Sequence, residues 1–230
     1  MNLEAKLSNL RFTKFFIPYL VSLCFTFFGC NDDDSSSSNP VESGSSNTIY
    51  FQPGRNGIED ARVEENTGNS NHANTNYGNE ADFWIEKYSY NEGHKLSRFF
   101  IKFNSLPYDL DVIYVGIGLF GFNSTYDVQS SIIDVQRVSQ PWGENSITWN
   151  NQPSFSGGVC DSKTPPTDQF LVNYWDITNL AKDWKRGTYP NYGVVFRHHR
   201  DEELTNGHYG GKTSESLNDI TPILMIIKKN

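Results

Sequence analysis

The sequence predicts an all-β fold, a sandwich or jelly roll with one short helix, and three observations carry that prediction. From Thr48 onward the apolar residues recur at period two or in short runs. Gly, Asn and Pro interrupt those runs at short intervals, as turns between strands require. Aromatic residues make up 14% of the 230 and charged residues only 20%. That mix excludes a coiled coil, a collagen and a wholly disordered chain.

Taken in chain order, strands are expected over 48–52, 60–64, 82–88, 96–103, 112–122, 131–138, 146–149, 170–177, 192–198, 208–213 and 223–228. Asn91-Glu92-Gly93 supplies turn chemistry between the third and the fourth. The spacing predicts a helix over 178–186. Asp176 or Thr178 can cap its first amides, and Gly187 can end it. Ile177, Leu180, Ala181 and Trp184 fall on one helical face, which should lie on the sandwich. Lys185 and Arg186 occupy the last turn, where the helix dipole favours cations without any ligand. No repeat of solenoid or propeller length is visible.

In strand 96–103, Phe99, Ile101 and Phe103 alternate onto one face and belong to the core. Arg98, Phe100 and Lys102 take the other. That second set is either a solvated face or part of a concave sheet that meets an anionic ligand.

The first 29 residues read as a secretory signal. Lys6, Arg11 and Lys14 precede an apolar run from Phe15 to Gly29, too short to span a bilayer and interrupted by Pro18. The run ends in Gly29-Cys30, and a small residue before cysteine resembles the lipobox of bacterial lipoproteins. Phe27 and Phe28 depart from that motif. The following NDDDSSSSN resembles the acidic export tag of surface lipoproteins. Residues 1–29 are therefore expected to be removed, Cys30 to be lipidated, and the Ser/Asp-rich stretch 30–47 to act as a polar tether. The expected location is the outer-membrane surface. With Cys24 removed and Cys30 lipidated, Cys160 is left alone, expected in a loop as a small apolar residue. One thiol excludes an intramolecular disulfide framework and a cysteine-based zinc site.

The order of segments also carries a resemblance. DARVEENTGNSNHANTNYGNEADFWIEKY is followed by SRFFIKFNSLP, QRVSQPWGENSITWNNQPSF, DITNLAKDWKRGTYPNYGVVFR and KTSES before TPILMII. Together these resemble the DNRLRE domain, also classed as carbohydrate-binding module family 96, over about residues 48–230. PWGENSITWNNQP is the most specific piece, whereas GHYGGKTSES carries extra glycines where the family has a tighter Ser-Glu element. The resemblance implies a β-sandwich of jelly-roll type that binds acidic polysaccharide, alginate being the known class, without cleaving it. Such domains are appended to polysaccharide lyases or displayed on surface lipoproteins, and this chain is expected to be a free-standing module on a lipid tether, with glycan-uptake or lyase proteins as neighbours.

The candidate ligand residues follow from charge and placement. Arg197, His198, His199 and Arg200 form the densest basic run, offset by Asp201, Glu202 and Glu203. The functional reading pairs Arg197 or His199 with Arg98 and Lys102 to hold uronate carboxylates, because a planar guanidinium can grip a carboxylate with two N–H groups. Tyr209 joins this ligand-binding set. Trp149 is expected in the core, and Trp142 is expected to plug one end of the sandwich. A structural Ca2+ is expected on Asp60, Asn76 and Glu215, whose segments come together if both ends of the domain pair at one sheet edge.

Several functions are excluded or left as alternatives. An excess of 27 acidic over 19 basic side chains gives no reason to hold nucleic acid. Neither basic patches interleaved with aromatics nor a dinucleotide-binding loop is expected. The serine-hydrolase elbow and the paired-histidine zinc helix are absent. A small polysaccharide lyase using Tyr209 with His199, and an adhesive or structural surface protein, remain as alternatives to a monomeric glycan binder.

Overall fold

The computed structural model describes residues 47–68, 72–90, 93–122, 132–165, 171–200, 206–216 and 220–229. The expectations for the leader, Cys30, the tether and Asp201–Glu203 lie outside these residues. Eleven strands and one helix occur among the described residues. They are β1 (Thr48–Phe51), β2 (Ile58–Asn66), β3 (Asp82–Tyr90), β4 (Gly93–Phe103), β5 (Val112–Phe122) and β6 (Ile133–Val138). There follow β7 (Phe155–Lys163), β8 (Val172–Asp176), α1 (Thr178–Arg186), β9 (Val194–His198), β10 (Gly207–Lys212) and β11 (Ile223–Lys228). No described helix is long and apolar enough to cross a membrane.

The strands form an antiparallel β-sandwich. β8, β5, β11 and β1 pair side by side as one layer. β2, β4, β9, β6 and β7 make the other. β3 pairs with β4 only through 87–90 and 93–96, then continues beside β10, which reaches β5 at Gly210 and Gly211 and so joins the layers. The first and last strands are neighbours, with Thr48 opposite Ile227 and Phe51 opposite Leu224.

The core lies between the layers, where the period-two alternation of β4 sends Phe99, Ile101 and Phe103. Phe99 stacks on Phe83 with ring centroids 4.0 Å apart, and Trp175 meets Phe196 edge-on at 5.1 Å. The buried Trp175 indole donates to the Ile133 carbonyl at 3.2 Å, so its one polar atom is satisfied.

The helix ends at the predicted glycine, whereas Ile177 holds the N-cap position and Asp176, one residue earlier, meets the first helical amide. The Asp176 carboxylate accepts from the Thr178 amide at 2.8 Å, and Gly187 adopts the left-handed conformation (φ 73°) that ends α1. Leu180 and Ala181 are buried, and Trp184 packs against the core from a partly buried position.

Two departures from the sequence reading have local causes, and one glycine pattern is explained by packing. Residues 146–149 are not a strand: the chain turns over 144–146, where the Ser146 and Ile147 amides both donate to the Gly143 carbonyl, and turns again from 149. A strand stands instead at 155–163. As β7 it is an exposed edge with two glycines and no apolar alternation, and Gly157 at φ 86° marks a shift in its register with β6. Finally, Gly116-Ile117-Gly118-Leu119-Phe120-Gly121 has the glycine spacing of a dinucleotide-binding loop but lies inside β5. A Cβ on Gly116, Gly118 or Gly121 would meet the rings of Tyr114, Tyr174 or Tyr209 at 2.5–2.8 Å. These glycines make room for tyrosines.

Candidate functional site

Register places Val63, Ala61 and Glu59 of β2 opposite Arg98, Phe100 and Lys102 of β4, all facing away from the core. This face is neither simply solvated nor open. Phe100 is fully buried (0% exposed) in a second apolar cluster with Ala61, Val63, Val138, Ile147 and Val195. The segment 139–155 lies over it, contributing Trp142, Trp149 and Phe155, with Tyr192 packed alongside. Trp142 therefore covers the sheet rather than plugging an end. Its ring meets Phe100 edge-on at 5.8 Å, and its indole donates to the Tyr192 carbonyl at 2.8 Å. Trp149 packs on this outer cluster from a partly buried position, not in the core between the layers.

Segment 139–155 is fixed by polar contacts distant in sequence. The Asn76 amide donates to the carbonyls of Glu144 and Ile147, both at 2.7 Å. The Asn150 amide donates to the Ala73 carbonyl at 3.0 Å.

Two of the predicted cations come together beside this cover. The Arg98 guanidinium stands 4.6 Å from the Trp149 ring centroid and 5.1 Å from that of Phe155. It donates to Gln152 at 2.9 Å. Arg197 approaches the same Phe155 ring at 5.8 Å, donates to Gln136 at 3.1 Å and lies 3.7 Å from Asp134. His199 reaches the patch through Asp134, at 3.0 Å from its carboxylate. Aromatic support of this kind holds a guanidinium flat while its edge N–H groups remain usable for a carboxylate.

Lys102 is four residues along β4, roughly 13 Å from Arg98 at the rise of a strand. It pairs with Glu59 at 2.7 Å and lies 5.9 Å from the Trp142 ring. It borders the same face but is not in the arginine cluster.

Tyr209 is a correction. It is 4% exposed inside the core, its hydroxyl accepting from Asn173 at 3.3 Å, and burial pushes its pKa far above the ordinary phenol value. It belongs to neither a surface ligand set nor a Tyr–His pair with His199. Two aromatic neighbours and a glycine explain its burial, since it packs among Phe83, Trp175 and the Gly121 backbone.

A cleft of about 370 Å³ lies between β7 and the start of α1. Arg137 stacks on Tyr189 there at 4.0 Å and donates to Ser156 at 2.9 Å. Asp176 and Asp183 also line it, which makes it adverse to an anionic sugar. Cys160 sits on β7 at this cleft rather than in a loop.

The expected metal residues divide. Asp60 and Glu215 do come together, and the third member is Glu144, with one carboxylate oxygen from each within 4.8 Å of the others. Burial first, and then the Glu215 charge, hold the Asp60 carboxyl well above its ordinary value. Burial likewise raises Glu144. Asn76 stands beside this group, its amide nitrogen anchoring the covering segment at the Glu144 carbonyl and its oxygen accepting from the Gly78 amide at 3.3 Å. Glu144 was missed although it lies in PWGENSITWNNQP, where it is the sole carboxylate.

No curated protein sequence matches the chain. A family model described as carbohydrate-binding module family 96 matches residues 56–228, well over half of the sequence. The match takes in the whole of β2 through β11, including the covered face and both arginines, so the chain belongs to carbohydrate-binding module family 96 and its partner class is a carbohydrate.

Proposed function

We propose that the domain is a non-catalytic module that captures an acidic polysaccharide, a uronan such as alginate, on the outer face of the β4–β9–β6 sheet. The observation that carries this reading is the pair Arg98 and Arg197, both held against Phe155, with Trp149 beside Arg98. Cations spaced along a sheet face can take successive carboxylates of a chain, while the aromatic edges offer the apolar faces of the sugar rings a surface. Gln136, Gln152 and His199 border the pair and can meet hydroxyls. The burial of Tyr209 supports binding over elimination, because the alternative lyase pair then lacks its tyrosine at the surface.

Alginate, pectin and a neutral glucan compared by titration calorimetry at low and physiological salt test this reading. Alginate should bind best, and more weakly as salt rises. Arg98→Ala with Arg197→Ala should weaken it at least tenfold, about 1.4 kcal/mol or more. Salt-insensitive binding of the glucan, unchanged in the double variant, would overturn the assignment. Unsaturated uronate ends appearing in the alginate would favour the lyase alternative.

We also infer that the module is displayed at the outer-membrane surface through a lipid on Cys30, near glycan-uptake or lyase proteins. The Gly29-Cys30 junction after an apolar run supports this. Many anchored copies acting on one polymer would offset weak single-site affinity. Cys30→Ala should release the protein from outer-membrane fractions. Full retention would sink the lipid anchor.

A further inference from the structure

We propose that Asp60, Glu144 and Glu215 form a site for one hard divalent cation of the Ca2+ class, which pins segment 139–155 to β2 and to the segment following β10. The three carboxylates come from positions that local structure alone would not assemble. Asp60 is in β2, Glu144 in the covering segment, and Glu215 follows β10. One oxygen of each lies within 4.8 Å of the other two. Oxygens that share a Ca2+ at 2.3–2.6 Å stand at most about 5 Å apart, so the spacing admits the ion. The donors are all carboxylate, with neither imidazole nor thiolate among them, which selects a hard cation over zinc or copper.

A second observation points to a ligand independently of the clustering. Asp60 is 1% exposed, and its Oδ1 has no hydrogen-bond partner among the described residues. The other oxygen, Oδ2, accepts from the Ser214 amide at 2.8 Å, which fixes the carboxyl plane. A buried carboxylate oxygen with no partner is costly unless something positive meets it. Glu144 is oriented in turn, because its Oε1 accepts from the Asp60 amide at 2.9 Å.

The protein's own compensation is small. Arg55 reaches Glu215 at 3.2 Å with a side chain 62% exposed, and the Ser214 hydroxyl donates to the other Glu215 oxygen at 3.0 Å. One solvent-exposed arginine faces three carboxylates, of which Asp60 is 1% exposed and the Glu215 side chain 5%. A bound divalent ion would supply the missing positive charge. The competing resolution is a permanently protonated Asp60, neutral and cation-free.

The purified full chain, stripped with EDTA and dialysed, can be titrated with CaCl2 by calorimetry and followed in thermal melts. Binding of one Ca2+ per chain is expected, with a rise in Tm of about 5 °C at saturation that EDTA reverses. Glu144→Gln, at a partly exposed position, should fold and lose at least tenfold in Ca2+ affinity. Asp60→Asn should abolish the Ca2+ response. No Ca2+ response in the parent protein, with Asp60→Asn melting at or above the parent temperature, would establish the protonated acid and overturn the site. An unchanged response in both variants would overturn it as well, by placing the ion elsewhere. Cation binding and Tm are the readouts, so failure of the uronan assignment leaves this test intact.

Discussion

Asp60 and Arg62 are two residues apart on β2, and register turns both to the side that faces Ile101 and Phe99, yet their charges are met in opposite ways. Arg62, 8% exposed, is surrounded by its own counterions. It pairs with Glu64 and with Glu80, each at 3.1 Å, and lies over the Tyr77 ring at 4.1 Å. Lys95 extends that network, meeting Glu64 at 3.5 Å and Glu86 at 2.5 Å, with His208 at 2.8 Å from Glu86. Around Asp60 the neighbours are carboxylates. One strand thus carries buried charge into the fold in two ways, one met by opposite charges of the chain and the other set among like charges.

The largest effect that sharpens this comparison is expected at Arg62. Arg62→Met keeps an unbranched apolar stem but removes the guanidinium and strands Glu64 with Lys95 as its remaining strong cation. Breaking a buried pair in this way should cost about 3–5 kcal/mol, read from the urea midpoint. A cost below about 1 kcal/mol would mean that the network is not what compensates Glu64, and the contrast with Asp60 would lapse.

A smaller effect is expected at Glu86. Burial opposes its charge, but hydrogen bonds from His208 and Lys95 overcome this and hold the carboxyl below its ordinary value. A carboxyl depressed by folding stabilises the protein when ionised. That contribution is complete above the ordinary carboxylate pKa and is lost as pH falls through the folded value. Glu86→Gln should therefore cost about 1–3 kcal/mol at neutral pH and flatten the acid side of the stability profile. Parallel acid limbs in the parent and variant proteins would show that Glu86 is not held in its charged form.

How much of this was legible in the sequence depended on the range of the interaction that decides each feature. The alternation of β4 and the caps of α1 are decided within a few residues, and Phe99, Ile101, Asp176 and Gly187 were read correctly from spacing. The turns over 144–146 and from 149 are also local, but the apolar Ile147 and Trp149 imitate a strand. They are apolar because they cover Phe100, a contact that only the folded sheet creates. β7 was missed for the converse reason, since an exposed edge strand needs no apolar rhythm. The metal candidates show the same limit. Asp60 and Glu215 could be grouped from the expected meeting of the chain ends. Glu144 could not be grouped with them, because its approach depends on the docking of the covering segment, held by a hydrogen bond from Asn76 that spans 68 residues. Arg98 was a candidate by alternation alone, but its partnership with Trp149 depended on where the covering segment docks.

The pairing of β1 with β11 has a mechanical consequence. Because Thr48 lies opposite Ile227, the chain enters and leaves the sandwich side by side, at the edge of the layer that lacks the arginine pair. Tension between these two points would run through the four-residue ladder at that edge. It would not stretch the sheet bearing Arg98 and Arg197 from end to end. The domain hangs from its own backbone as a pendant rather than standing in it as a link, so drag on a captured polymer and pull along the chain follow separate paths.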